Sequence, residues 1–301
     1  MSRDLIPELS YEKIAAYDPA TLSILSNALE NHGFFTVINH GISDNLLDDS
    51  YDLAKKFFNL DESIKVNYSR PEHGGARGYT PFGKETALGE KVPDLKEFWH
   101  LGPEINTSFD SRIHENIKVD ELLDFNTHFN TLFTSLNQLG IKVLESIALV
   151  LDLPKNFFEE KVIRGNSTLR LLHYPPVASD ENVLRARAHA DINLITLLVG
   201  AEEGGLEVQN KDDEWIQIKP NSKSIVCNIG DMMQLITEGN LKSTPHRVVE
   251  YSANDSKSRY SMPFFLHPSP EVVLKSVFNE NDEGVLAHDF LEERIKAIKL
   301  Y

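Results

Sequence analysis

Five residues, Arg187-Ala188-His189-Ala190-Asp191, set an imidazole and a carboxylate two positions apart. Pro245-His246-Arg247 supplies a second imidazole, and Arg259-Tyr260-Ser261 follows with a guanidinium and a hydroxyl, again two apart. Two histidines and one carboxylate on one face of a divalent metal leave its other face open, the donor set that suits non-haem Fe(II) chemistry. In an extended strand, residues two apart share a face, so His189 and Asp191 would point together, as would Arg259 and Ser261. A guanidinium fork grips a carboxylate bidentately, which fits an acidic partner held beside the metal. Each piece alone has a plainer reading. A chain with 11 histidines produces a His-x-Asp by chance, a histidine at a strand mouth is commonly structural, and an inward arginine is commonly paired with Asp or Glu. The pieces gain force only together.

Positioning them requires strands. From Thr168 the sequence breaks into short β-rich runs, read as strands over 169–173, 194–199, 206–208, 215–218, 225–228, 233–236, 247–251 and 260–266. Many short strands at close intervals indicate a barrel or double-sheet jelly roll. The first part reads differently. Asp18-Pro19 supplies a cap and an N1 proline for a helix carrying Leu22, Leu25 and Leu29 that stops at Gly33. Phe34-Phe35-Thr36-Val37-Ile38 has strand composition. Ser43 caps a second helix with Leu47, Tyr51, Ala54 and Phe58 at helical spacing. Five glycines among polar residues over about 70–93 predict a long loop. Leu122, Phe129, Leu132, Phe133, Leu136, Leu139, Val143 and Ile147 predict a long helix, with Gly140 marking an irregularity in it, and Asp289 caps a last helix holding Phe290, Ile295 and Ile298. The expected layout is a helical region over 1–165 and a jelly-roll core over 166–301, forming one integrated domain.

Composition narrows the partners. With 46 acidic against 30 basic side chains the net charge is −16, which repels phosphate backbones and anionic lipid. No nucleic acid, no membrane and no obligate protein partner is expected, only a small-molecule substrate. One cysteine, Cys227, cannot form an intrachain disulfide and reads as a buried core thiol. Met1-Ser2-Arg3-Asp4 precedes no long apolar run, so a cytoplasmic location is the expectation.

The ordered set resembles the Fe(II)- and 2-oxoglutarate-dependent dioxygenase superfamily, in the branch containing isopenicillin N synthase. The matching pieces run from His32-Gly33-Phe34-Phe35 and Asn39-His40-Gly41 through Leu172-His173-Tyr174-Pro175-Pro176, His189-Ala190-Asp191, Asn228-Ile229-Gly230-Asp231 and Pro245-His246-Arg247 to Arg259-Tyr260-Ser261-Met262-Pro263-Phe264-Phe265. The resemblance implies a distorted jelly roll (double-stranded β-helix) flanked by helices, in the α+β or mainly β class. It implies iron at His189, Asp191 and His246, and 2-oxoglutarate held through its distal carboxylate by Arg259 and Ser261 with Tyr174 assisting. It further implies oxidation of a small organic molecule by O2, with release of succinate and CO2, whether the outcome is hydroxylation, desaturation or ring closure. No catalytic side chain beyond the metal ligands is demanded. Many plant members carry Asn where this chain has Leu172, which opens the question of what that position touches.

Three alternatives stay open at this stage: an Fe(II) oxidase that needs no 2-oxoglutarate and grips its substrate's carboxylate with Arg259 and Ser261, a metabolite-binding jelly roll without activity, and a zinc hydrolase. Candidate substrate contacts are Leu172, Phe264 and Phe265, with Tyr79, Phe82, Phe98 and Trp99 near the long loop. Arg77, Lys84 and Lys91 are read as solvated loop charges, and Asn228-Ile229-Gly230-Asp231 as a structural β-turn.

Overall fold

The computed structural model describes residues 6–85, 93–176, 184–199, 204–210, 212–218, 224–249 and 258–297. In chain order, β1 (Glu8–Ser10), α1 (Tyr11–Ala15), α2 (Pro19–Asn31), β2 (Phe34–Ile38), α3 (Asp44–Phe58) and α4 (Glu62–Lys65) come first. Then come β3 (Gly78–Thr80), β4 (Glu97–Leu101), α5 (Phe125–Val150) and α6 (Glu159–Val162). The second half holds β5 (Thr168–Tyr174), β6 (Leu184–His189), β7 (Ile195–Val199), β8 (Leu206–Gln209), β9 (Trp215–Gln217), β10 (Ile225–Ile229) and α7 (Asp231–Ile236). It closes with β11 (His246–Val249), β12 (Arg259–Leu266), the short pair β13 (Val273–Leu274) and β14 (Val285–Leu286), and α8 (Ala287–Ala297).

The strands form the two facing sheets of a jelly roll. An eight-stranded sheet runs β1-β2-β10-β7-β12-β5-β4-β3, and a four-stranded sheet runs β6-β11-β8-β9. Strand periodicity divides the large sheet into two faces. Tyr260, Met262, Phe264 and Leu266 of β12, with Leu169 and Leu171 of β5 and Ile225, Cys227 and Ile229 of β10, belong to the main core under α5. Arg259, Ser261, Pro263 and Phe265 alternate with them and face the small sheet, as do Tyr174, Leu172, Asn228 and Thr196. The site therefore occupies the space between the sheets, and the helices buttress the back of the larger one.

Local chemistry explains the helix starts. Asp18 accepts from the Thr21 amide at 2.9 Å and Ser43 from the Leu46 amide at 3.1 Å, each filling a donor the first turn leaves open. Gly33 has φ +66°, and a Cβ there would lie 2.1 Å from the Lys242 carbonyl, so the chain turns from α2 into β2 only with glycine.

Several elements differ from expectation. The run 233–236 is not a strand but the end of α7, with Met232, Met233 and Ile236 buried at helical spacing. A short apolar run fits either period, and the helix wins because the Gly230 backbone starts it against the preceding loop. Inside the expected loop, β3 pairs with β4, Tyr79 opposite Trp99. β4 itself is fully buried and lacks the alternation that flags half-exposed strands. β6, with Arg187 and His189, was masked by its polar composition. Gly140 marks no irregularity. α5 passes through it unbroken, and a Cβ there would press on Leu266 Cδ1 at 2.9 Å. Asp289 lies within the first turn of α8 rather than capping it. Ile298 and the Tyr251 end of the expected strand over 247–251 lie outside the described residues. Among the described residues no helix is long and apolar enough to cross a membrane.

Candidate metal centre and its two cavities

His189 ends β6 and His246 begins β11, and the two are register partners across that antiparallel pair. This pairing joins positions 57 residues apart, and their rings face each other with centroids 4.4 Å apart. His189 Nδ1 lies 2.7 Å from the Arg187 carbonyl and His246 Nδ1 3.3 Å from the Thr244 carbonyl. A carbonyl only accepts, so Nδ1 carries the proton in each ring and Nε2 presents a lone pair inward.

Asp191 lies just beyond β6 rather than within it. It still points the same way because the loop is pinned: the Asp231 amide donates to its carbonyl at 2.7 Å. Its Oδ2 accepts from Thr196 Oγ1 at 2.6 Å and Asn228 Nδ2 at 2.8 Å. That leaves Oδ1 turned toward the histidines, 3.7 Å from His246 Nε2 and 4.0 Å from His189 Nε2. The three donor atoms lie within 4.8 Å of one another. Small side-chain rotations bring such a set onto one ion at the ~2.0–2.2 Å distances usual for nitrogen and oxygen donors. Two imidazoles and a carboxylate on one face are the donors that Fe(II) takes in open sites, so these residues fit that ion.

Electrostatics agree with the donor roles. Burial by itself would raise the Asp191 pKa, but the facing His246 and His189 rings and the hydrogen bonds from Asn228 and Thr196 hold it below the ordinary carboxylate value. The protein surroundings, then the facing His246, pull the His189 imidazole down to about 4 against the opposing pull of Asp191. Both ligands are thus in their metal-binding protonation states at neutral pH. Gly230 makes the arrangement possible: a Cβ there would lie 2.1 Å from the Asn193 carbonyl, so only glycine lets α7 start so close to the Asp191 loop.

Two cavities meet at this cluster. The smaller, about 70 Å³, contains Tyr174, Arg259, Ser261 and Leu172 on one wall and borders all three candidate ligands. Arg259 is 4% exposed. Its Nε donates to the Gly204 carbonyl at 3.2 Å, its Nη1 lies 3.5 Å from Ser261 Oγ, and its guanidinium lies over the Tyr174 ring. Phe34, Leu206 and Val248 dry the rest of this pocket, and low dielectric strengthens any ionic grip made there.

The larger cavity, about 480 Å³, opens on the other side of His189 and Asp191. Phe265 borders both cavities. Leu172 borders the small one, beside Tyr174. Phe264 lies on the opposite strand face and packs edge-on against Phe133, 5.0 Å between centroids, which corrects its placement as a substrate contact. Tyr79 and Trp99 also lie in the core, Phe98 packs with Leu172 and Tyr174, and Phe82 is exposed. Arg77, expected on a solvated loop, is fully buried beside the large cavity, whereas Lys84 is exposed and Lys91 lies outside the described residues.

Sequence reasoning missed several groups here. Ile229 belongs to β10 rather than a turn, and Asn228, which ends the expected strand over 225–228, is a direct partner of Asp191, a role the sequence reading did not assign. The parity of β10 carries that signal, because Val226 and Asn228 must share a face opposite Cys227. A buried ion network also went unseen: Lys96 bridges Glu85 at 2.5 Å and Asp94 at 2.9 Å, Arg170 meets Glu85 at 3.1 Å, and Arg187 meets Asp94 at 3.3 Å. Burial by itself would raise Glu85, but the Arg170 and Lys96 charges hold it well below its ordinary value. His100 fixes this wall, donating from Nδ1 to the Gly75 carbonyl and accepting from Arg170 Nε at 2.6 Å. The short Lys96–Asp94 spacing does not by itself mark a buried pair, and the arginine partners of Glu85 and Asp94 are distant in the chain.

Comparisons with known proteins agree with this geometry. Residues 165–268 match the model of the 2OG-Fe(II) oxygenase superfamily, and residues 6–121 match that of the non-haem dioxygenase in morphine synthesis N-terminal region. The chain is 31% identical over 266 residues to a 2-oxoglutarate-Fe(II) type oxidoreductase of Aspergillus fumigatus, covering 84% of this chain and 78% of the relative. It is 33% identical over 277 residues to a probable iron/ascorbate oxidoreductase of Dictyostelium discoideum, covering 81% and 74%. Among solved structures it superposes on a 2OG-Fe(II) oxygenase family protein from Caulobacter crescentus with a TM-score of 0.87 and 39% identity, covering 98% of this chain and 100% of that one. A full-length Neurospora crassa protein solved in complex with α-KG also gives a TM-score of 0.87, at 28% identity, covering 98% and 97%. With the jelly roll, the paired histidines and these relatives in agreement, the chain belongs to the 2OG-Fe(II) oxygenase superfamily and is an Fe(II)- and 2-oxoglutarate-dependent oxidoreductase of small organic molecules.

Proposed function

We propose that His189, Asp191 and His246 hold the iron, that the small cavity takes 2-oxoglutarate, and that the large cavity takes the molecule to be oxidised. Arg259 and Ser261 receive the distal carboxylate of 2-oxoglutarate, with Tyr174 closing the same wall. Iron and 2-oxoglutarate, when bound, supply O2-dependent oxidation in which the cosubstrate leaves as succinate and CO2. The residues do the rest. Asn228 and Thr196 keep Asp191 ionised and aimed. The Arg187 and Thr244 carbonyls keep both imidazoles in the Nε2-donating tautomer. Apolar walls exclude water from the cosubstrate. No proton has to be moved by a side chain, consistent with the lack of a nucleophile–base pair beside the triad among the described residues.

The observation that carries this reading is the position of a buried arginine and serine on one strand face, in a dry pocket bordering the donor cluster. The α-KG complex of the Neurospora protein supports the choice of cosubstrate. From the order of its motifs along the chain we further read it as a member of the branch containing isopenicillin N synthase. Because β1 to β4 extend the sheet that carries Arg259, we read the whole chain as one working unit. The test is spectroscopic and kinetic. Under nitrogen, Fe(II) plus 2-oxoglutarate should give a visible charge-transfer band, and admission of air should yield succinate, faster when a screened metabolite is a substrate. No band and no succinate would sink the proposal.

A further inference from the structure

At one corner of the large cavity three side chains meet that carry unspent hydrogen-bond donors and no acid. Arg77 is 1% exposed. Its Nε donates to the His114 carbonyl at 3.2 Å, Nη1 to the Ala76 carbonyl at 2.6 Å and Nη2 to Asn166 Oδ1 at 3.0 Å. All three acceptors are neutral, and no carboxylate pairs with Arg77 among the described residues. The other cations of the wall are matched: Lys96 by Glu85 and Asp94, Arg170 by Glu85, and Arg294 by Asp231 at 3.4 Å. A guanidinium offers five N–H groups, so part of this one remains unused. A buried cation without a counter-ion carries a desolvation penalty that an arriving anion would relieve.

His267 stands next to it. It follows Phe265 on the same chain face, and the residue after it ties this segment to Asn166, whose amide donates to the Pro268 carbonyl at 3.2 Å. Its side chain makes no hydrogen bond to the described protein: Nδ1 is sealed without a partner, and the rest of the ring borders the cavity. Burial pushes its pKa down to about 4, so at neutral pH it is an uncharged ring with one N–H to give. The Asn166 side-chain nitrogen likewise donates to no described group. Arg77's role in tying loops together accounts for its three carbonyl contacts, but not for the unspent groups of His267 and Asn166.

Building on the functional reading above, we propose that the large cavity takes an organic acid, its carboxylate seated against Arg77, Asn166 and His267. The apolar body then lies along Phe265, and the carbon to be oxidised reaches the metal side. A carboxylate is acceptor-only and matches a corner whose uncommitted groups include the N–H donors of Arg77, Asn166 and His267. Apart from Asp191, which the reading above assigns to iron, the rest of the cavity's charge is neutralised in pairs, so this corner sets the ligand's polarity.

The test uses the enzyme loaded with Fe(II) and saturating 2-oxoglutarate under nitrogen, which keeps Arg259 occupied. Benzoate, phenylacetate, 3-phenylpropionate and nicotinate are titrated calorimetrically against their primary amides. At least one acid should bind about tenfold tighter than its amide, the difference expected for a charge-assisted hydrogen bond. His267→Leu or Asn166→Leu should reduce that preference several-fold, while Arg77→Lys, which keeps the charge, should retain more of it than either. The inference fails if no acid is preferred over its amide, or if the preference survives both His267→Leu and Asn166→Leu. Loss of the charge-transfer band would instead count against the oxygenase reading, whereas an intact band without acid preference overturns only this assignment.

Discussion

Replacing Asn228 with leucine removes one of the two donors to Asp191 Oδ2 while keeping the same branched heavy-atom outline. Asn228 is 4% exposed and its amide lies 2.8 Å from that oxygen, so the lost interaction is a buried hydrogen bond to a charged group, about 1.5–3 kcal/mol. Thr196 still donates to the same oxygen at 2.6 Å, which keeps the carboxylate partly aimed and favours the lower half of that range. Converted, the Fe(II) dissociation constant should rise by roughly 10- to 100-fold, as is usual when a partner of a metal ligand is deleted. Activity should recover as iron is raised. Adding Thr196→Val strips Oδ2 of both donors and should cost at least another ~10-fold. The Asp191 pKa should also move up, because both donors favour its charged form, so proton competition with the metal begins at higher pH. The assay is an anaerobic Fe(II) titration of the charge-transfer band at saturating 2-oxoglutarate. Cys227→Ala is the control: the adjacent residue faces the core and should change stability without changing iron affinity. If Asn228→Leu folds normally and binds iron within about twofold of wild type, Asp191 is not held in place by that amide.

Other outcomes follow from the same geometry. Arg259→Lys keeps the charge but loses the fork, so the KM for 2-oxoglutarate should rise about 10- to 100-fold with iron affinity unchanged. An unaltered KM would remove Arg259 from the cosubstrate site. Phe264→Ala should cost about 3–5 kcal/mol in urea unfolding because its ring fills the core against Phe133, whereas Phe265→Ala should act mainly on substrate KM. Reversal of that pair would refute the face assignment of β12. His267 has a folded pKa of about 4 against an ordinary value near ~6.5. Because the folded value is depressed, its contribution is complete above the unfolded pKa and is lost as pH falls. Stability should decline by up to about 1.4 kcal/mol per pH unit between roughly 6.5 and 4, and His267→Leu should flatten that slope. An unchanged slope would place the protonation elsewhere.

Much of the candidate centre was legible because its chemistry lies in short motifs. His189 with Asp191, His246 at a strand mouth, and Arg259 with Ser261 each declare donor type and local direction within a few residues. Most of the second-half strands were legible for the same reason, since alternation and turn residues are local, whereas the polar β6 was not. Where two periods fit a run equally, as at 233–236, the sequence was ambiguous and packing decided for the helix. Phe264 shows a reading that parity alone could have corrected, because it cannot share a face with Arg259 and Ser261.

From the sequence alone came the donor set, its order along the chain, the jelly-roll class and a net charge of −16, all of which depend on residue type and short-range spacing. Only the tertiary structure decided that His189 pairs with His246 across β6 and β11, that Asn228 and Thr196 aim the carboxylate, and that Arg77, Asn166 and His267 share one corner. Apart from the five-residue step from Asp191 to Thr196, those relations join residues tens to more than a hundred positions apart, and nothing in a local pattern encodes which distant side chain will be buried against which.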